Sequence, residues 1–168
     1  SLFHTHAYDD VTIRLFPTAS QTQEWGKPWE EPSQRPAGAI GGADYAGAHL
    51  PAHRVRNLGK SLWRQIVVEN VQTTGWASGP GDPVLAAPER DTRSFRAYRV
   101  RLTTTASAST HRHAGPVVTV LVRGQVDVGV GERRLTNVGE WRLGAAGLSH
   151  RLTRLGSTDA EVVEVELR

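Results

Sequence analysis

His150-Arg151-Leu152-Thr153-Arg154-Leu155-Gly156 repeats His53-Arg54-Val55-Arg56-Asn57-Leu58-Gly59 at four identical positions, with Val55 and Leu152 a conservative fifth. Each copy runs into an apolar stretch that turns acidic: Ile66-Val67-Val68-Glu69 in the first, Val162-Val163-Glu164-Val165-Glu166 in the second. Gly42 precedes His53 by eleven residues, and Gly139 precedes His150 by the same eleven. The seven histidines fall into two clusters, His4, His6, His49 and His53, then His111, His113 and His150. The two copies are offset by 97 residues at His53/His150 and by 107 at the His-x-His pairs, so the first carries about ten extra residues between its motifs. The pattern reads as an internal duplication with a loop insertion.

The local periodicity is that of short strands. Residues 11–15, 95–102 and 125–130 alternate apolar and polar, whereas Val117–Val122 is nearly continuous and predicts a strand buried on both faces. Glycine turns punctuate these runs at Arg123-Gly124, Gly131-Glu132 and Gly144–Gly147. Many short strands with regular turns predict an all-β sandwich or small barrel. Residues 16–41, polar and rich in Pro, Gln and Gly, break the pattern and read as a long loop that Trp25 and Trp29 pin down. Residues 77–93 read as a linker between an N-terminal module, 1–76, and a C-terminal module, 94–168. A full strand precedes His111 but only three residues precede His4, so the first module lacks its leading strands. They are missing outright, lent by another part of the chain, or lent by a second subunit, and the last makes a homodimer an expected association.

Composition narrows the chemistry. With no cysteine among 168 residues there is no disulfide framework and no thiolate ligand. The net charge of +3 comes from residues 77–168, whose arginines mostly alternate with apolar residues as on solvated strand faces. Nucleic acid is therefore not an expected partner, and no apolar stretch is long enough to span a bilayer. The missing initiator Met reads as a processed or trimmed chain, soluble and either cytoplasmic or exported.

Two histidines at i and i+2 on a strand project from one face and can close on one metal ion, with a third ligand from a neighbouring strand. That logic groups His111 and His113 with His150, and His4 and His6 with His53; His49 reads as a loop residue, and Trp141 as core. With Gly139, Gly147 and His150 in one half, Gly42, His53 and Asn57 in the other, and a His-x-His ahead of each, the chain resembles the cupin superfamily in a two-module arrangement. The resemblance implies two double-stranded β-helix (jelly-roll) barrels and a divalent transition metal. It also implies an acid after each His-x-His. Asp10 shares the face of His4 and His6 by alternation, with Asp9 favoured instead by a one-residue bulge; the second module offers no acid there.

The expected metal ligands are thus His111, His113 and His150, and His4, His6, His53 and Asp10, with Fe, Mn, Ni or Zn as the ion. Three imidazoles without a carboxylate resemble the iron sites of cupin dioxygenases and place the leading site in the second module. That site would act on a small oxygenated molecule by oxidation, isomerisation or decarboxylation. The alternatives are a non-enzymatic module that binds or senses a metal or small ligand, and a structural cupin whose histidines only hydrogen-bond. No general base stands out. Glu140 and Gln125 lie near the motifs, and one of Tyr98, Arg99 and Arg101 could meet an anionic substrate group.

Overall fold

The computed structural model describes residues 1–45, 51–72, 79, 81–129 and 134–168. His49 therefore lies outside the described residues, as does the Gly131-Glu132 turn. The chain divides into two compact units, Ser1–Val71 and Gln72–Arg168. Among the described residues every regular element is a strand.

Unit 1 contains β1 (Asp10–Arg14), β2 (Thr18–Glu24), β3 (Ser33–Arg35), β4 (Ile40–Ala43), β5 (His53–Asn57) and β6 (Gln65–Glu69). Unit 2 contains β7 (Arg90–Asp91), β8 (Phe95–Leu102), β9 (Ala108–Arg112), β10 (Val117–Arg123) and β11 (Val126–Val128). It continues with β12 (Arg134–Leu135), β13 (Trp141–Gly144), β14 (Ser149–Arg154) and β15 (Ala160–Leu167). In unit 2 one sheet has the order β13-β10-β15-β8-β7 and the other β12-β11-β14-β9. Unit 1 repeats both orders in shorter form, as β4-β1-β6 and β3-β2-β5, with His4 bridged to His53 where β9 pairs with β14. All pairings are antiparallel. The strand that flanks β15 on its second side, β8, has no counterpart beside β6 among the described residues.

The ladders match residue by residue. Asp10 pairs with Glu69 as Val117 pairs with Glu166, Thr12 with Val67 as Thr119 with Glu164, and Ile13 with Ile66 as Val120 with Val163. Arg14 faces Gln65 where Leu121 faces Val162. The two offsets read from the sequence, 107 before the insertion and 97 after it, are those of β1 to β10 and of β6 to β15.

Period-two alternation explains the core of unit 2. Ala160 and Val162 of β15, Val100 and Leu102 of β8 and Leu121 of β10 pack against Val126, Val128, Leu135 and Leu152 of the other sheet. The two sheets thus face each other over one apolar layer. Further along β15 the same inward face carries Glu164 and Glu166, so the layer next to the valines is polar. The motif glycines have a backbone reason: Gly42 (φ 128°) and Gly139 (φ 90°) sit where a side chain is strained, and a Cβ on Gly42 would stand 2.2 Å from the Asp10 carbonyl oxygen.

Several expectations are corrected. Residues 16–41 are not one long loop. Thr18–Glu24 and Ser33–Arg35 are strands, held by backbone pairing with each other and with β5 rather than by an apolar face. Trp29 lies under the guanidinium groups of Arg54 and Arg56 (4.9 and 4.2 Å), and Trp25 meets Phe3 edge-on at 4.7 Å. Trp141 is not core but 58% exposed, because β13 is an edge strand.

Leu152 is fully buried in the apolar layer, and its replacement by Ala should cost about 2–5 kcal/mol. Val67→Ala, at a position 41% exposed on β6, should stay within about 0.5 kcal/mol. Urea-unfolding midpoints of the two variants against the parent chain check both values.

Candidate metal centres

In unit 2, β9 carries His111 on its inner face, and His113 follows directly. Register places His150 of β14 opposite His111. The third wall is Glu164, on the middle of β15. His111 Nε2 lies 2.6 Å from Glu164 Oε2, His113 Nε2 3.3 Å from the same oxygen, and His150 Nε2 3.0 Å from Oε1. His111 and His150 present their Nε2 atoms to each other at 2.8 Å. All four side chains are buried, Glu164 completely. Thr119 Oγ1 donates to Glu164 Oε1 at 2.8 Å.

The expectation of three imidazoles without a carboxylate is overturned here. The acid comes from the last strand instead of from the segment after His113. A glutamate buried among valines is the sequence signal, and it needed the pairing of β15 to be read. A second acid, Glu166, stands 3.7 Å from His113 Nδ1 and accepts from the amides of Ala114 (2.8 Å) and Gly115 (3.1 Å). The Tyr98 hydroxyl donates to Glu166 Oε2 at 3.4 Å, so Tyr98 faces inward. Arg99 and Arg101 do not: Arg99 is held by Glu89 and Glu161, and Arg101 by Glu161. Glu140 closes a turn by accepting from the Thr136 and Asn137 amides, and Gln125 is exposed.

Burial alone would raise the Glu164 carboxyl, but hydrogen bonds from His111, His113 and His150 outweigh it and hold it well below the usual carboxylate range. Burial alone would lower His113, but hydrogen bonds to Glu164 and Glu166 push it up to about 9. The donor set fits a metal ion. Two imidazole nitrogens facing each other at 2.8 Å require a proton on one of them, whereas donors around one ion at about 2.1 Å stand roughly 3 Å apart. The four groups could hold such an ion.

In unit 1, His4, His6 and His53 converge in the same way, within 4.8 Å of one another, but His4 is exposed and the other two are partly so. Their ring centroids lie 4.6–5.2 Å apart. Burial, then the charges of His4 and His6, lowers His53 and favours the neutral imidazole that a metal needs. Asp10 is buried with Oδ2 3.7 Å from His6 Nδ1, and Glu69 stands 3.9 Å from the same nitrogen, as Glu166 does from His113. The converging set is the three histidines, and Asp10 stands beside His6 rather than in it. Alternation from His4 does not bring it there, because β1 begins only at Asp10. Asp9 accepts from the Tyr45 amide at 2.6 Å. Burial, then the nearby Asp10 carboxylate, raises the Tyr45 phenol to about 12.

The two histidine clusters differ in the space beside them. Unit 1 holds a cavity of about 650 Å³ lined by the three histidines, Asp10, Tyr45 and Arg14 among others. The hollow beside His150 in unit 2 is about 20 Å³, enough for a water molecule and no more.

No protein-family model and no curated protein matches the sequence. Solved structures do. AerE from Microcystis aeruginosa aligns at 10% identity over 99% of this chain and 81% of its own, with a TM-score of 0.69. YhhW from Escherichia coli aligns at 18% identity over 99% and 75%, with a TM-score of 0.61. A cupin domain from Bordetella pertussis Tohama I aligns at 19% identity over 55% of this chain and 98% of its own, with a TM-score of 0.40. Strand orders β13-β10-β15-β8 and β12-β11-β14-β9, closed over one core, make a double-stranded β-helix. The chain has the cupin fold. Among the described residues unit 1 has no strand in the place of β8, and no helix is long and apolar enough to cross a membrane.

The buried cluster should give opposite pH dependences with and without metal. In chelator-treated protein the raised His113 contributes stability that is complete below about pH 6.5 and is lost as pH rises through about 9. The depressed Glu164 contributes above the ordinary carboxylate range and is lost only well into acid. Metal-loaded protein instead needs neutral imidazoles, and should lose stability as pH falls below about 6.5. Thermal unfolding between pH 5 and 9.5, with and without chelator, checks the pair of slopes.

Proposed function

We propose that this cupin is a metal-binding protein with a division of labour between its units. A metal held by His4, His6 and His53 serves a small oxygenated molecule in the unit 1 cavity, and a metal held by His111, His113, His150 and Glu164 is structural. The single observation that carries this is the contrast in the space the histidines line, about 650 Å³ against about 20 Å³. Structural metal sites are closed by protein ligands, whereas sites that work on a molecule keep a coordination position open beside a cavity. Four buried donors in unit 2 fit the first description, and three partly exposed donors in unit 1 fit the second. The sequence-level preference for the second module is therefore exchanged for the first.

When bound, Fe, Mn, Ni or Zn would supply Lewis-acid polarisation of an oxygen substituent or, for a redox ion, electron transfer. The chain's own residues supply the rest. Asp10 is the carboxylate in the cavity lining and sits beside His6, placed to take a proton. Tyr45, held protonated, stacks on His6 at 5.9 Å and donates its hydroxyl to the Asp10 carboxylate. A buried carboxylate next to a neutral phenol suits isomerisation or decarboxylation of an oxygenated acid, and a dioxygenase-like oxidation would use the same wall. The matched ladders and motif copies also support descent of the two units from an internal duplication.

Elemental analysis by mass spectrometry, on protein purified without affinity metal or chelator, tests the assignment. The parent chain should carry two metal equivalents. His53→Ala should lose one and keep its melting temperature close to that of the parent. His111→Ala should lose the other and be destabilised by about 3 kcal/mol or more, the stabilisation a tightly bound ion contributes. A single equivalent that survives His53→Ala would overturn the unit 1 assignment.

A further inference from the structure

The matched ladders identify one position where the units part in chemistry. Unit 2 closes its barrel interior with Leu121 opposite Val162, both fully buried. At the equivalent rung unit 1 has Arg14 opposite Gln65, and the Arg14 guanidinium donates to the Gln65 amide oxygen. The guanidinium carbon also lies over the Trp63 ring, 4.2 Å from its centroid. Arg14, Trp63 and Gln65 all line the cavity of about 650 Å³ that the three histidines also line.

Arg14 forms no ion pair with a carboxylate among the described residues, whereas Arg99 and Arg101 of unit 2 are both paired. Burial, then the charge of Arg35, lowers its affinity for the proton, so its surroundings do not neutralise it. A half-buried guanidinium is costly to hold without a counter-anion, and its planar fork suits a carboxylate. Along β1 the rungs of Asp10 and Arg14 are four residues apart, roughly 13 Å at 3.3 Å per residue. Both residues and the three histidines line one cavity of about 650 Å³, which has room for a small acid between them.

We propose that the unit 1 cavity binds a small organic acid, with a carboxylate on Arg14 and its remaining oxygen substituents directed to His4, His6 and His53. The inference rests on the reading of unit 1 as the working site and names the class of molecule it takes. Gln65 and Trp63 act as positioning residues that hold the guanidinium toward the cavity. Replacement of an apolar plug by a cation at one rung turns a filled barrel into an anion-binding one.

The test is calorimetric titration of the full, metal-loaded chain with mono- and dicarboxylates from acetate to adipate, and with succinamide as the uncharged counterpart of succinate. At least one acid should bind, and succinate should bind about tenfold to a hundredfold more tightly than succinamide, the range for one charge-assisted pair. Arg14→Gln should bring succinate down to the succinamide level with two metal equivalents retained. Binding of no acid, equal affinity for succinate and succinamide, or acid affinity unchanged in Arg14→Gln would each overturn the proposal. If Arg14→Gln fails to fold, the succinate–succinamide contrast on the parent chain decides. Metal content of His53→Ala is read separately: metal that survives that substitution sinks the unit 1 metal site, while the carboxylate contrast still decides the role of Arg14.

Discussion

A fully buried carboxylate in the middle of a valine strand is the constraint around which unit 2 is arranged. An ionised glutamate without partners in such a place would cost several kcal/mol. Glu164 is held ionised because three imidazoles and the Thr119 hydroxyl converge on its two oxygens. Each of those partners is fixed by strand pairing: Thr119 by the β10–β15 ladder, His150 and His111 by the β14–β9 ladder. Loss of one strand's register would strand a charge in the interior, so the polar layer specifies register as strongly as the apolar layer supplies stability.

The same scaffold is used differently in unit 1. Three changes at equivalent rungs separate the two. Val67 stands where unit 2 has Glu164, Arg14 where it has Leu121, and Gln65 where it has Val162. The first removes the central carboxylate from among the histidines and leaves them with a free side. The second and third remove the apolar plug. Together with the absence of a strand beside β6 among the described residues, they leave the histidines facing an open cavity instead of a closed core. Fold-level kinship does not distinguish these outcomes, since AerE and YhhW share the fold at 10% and 18% identity.

Much of the fold was legible in the chain itself. Period-two alternation located β1, β8 and β11, a nearly continuous apolar run located β10, and the motif copies located β5 and β14. Strands β2 and β3 were missed because Thr18–Glu24 is polar on both faces: its hydrogen bonds go to β5, a partner more than thirty residues away, and no apolar stripe announces them. Trp141 was misjudged because a tryptophan's size suggests burial, whereas exposure at a sheet edge is set by topology. Both histidine triads were legible, since ligand spacing along one strand is a local property. Glu164 was not assigned to its cluster, because which strand closes the third wall is a property of sheet order.

The sequence by itself determined the local chemistry: all-β structure, two copies of one motif set, imidazole rather than thiolate ligands, and glycines where φ must be positive. These follow from steric preferences and periodicities that act over a few residues. Only the tertiary structure decided which carboxylate completes the buried cluster, which unit keeps an open cavity, and which arginine faces it. Those depend on cross-strand register between residues 38 to 59 positions apart. There a single pairing sets whether a side chain meets a histidine, a valine or open space.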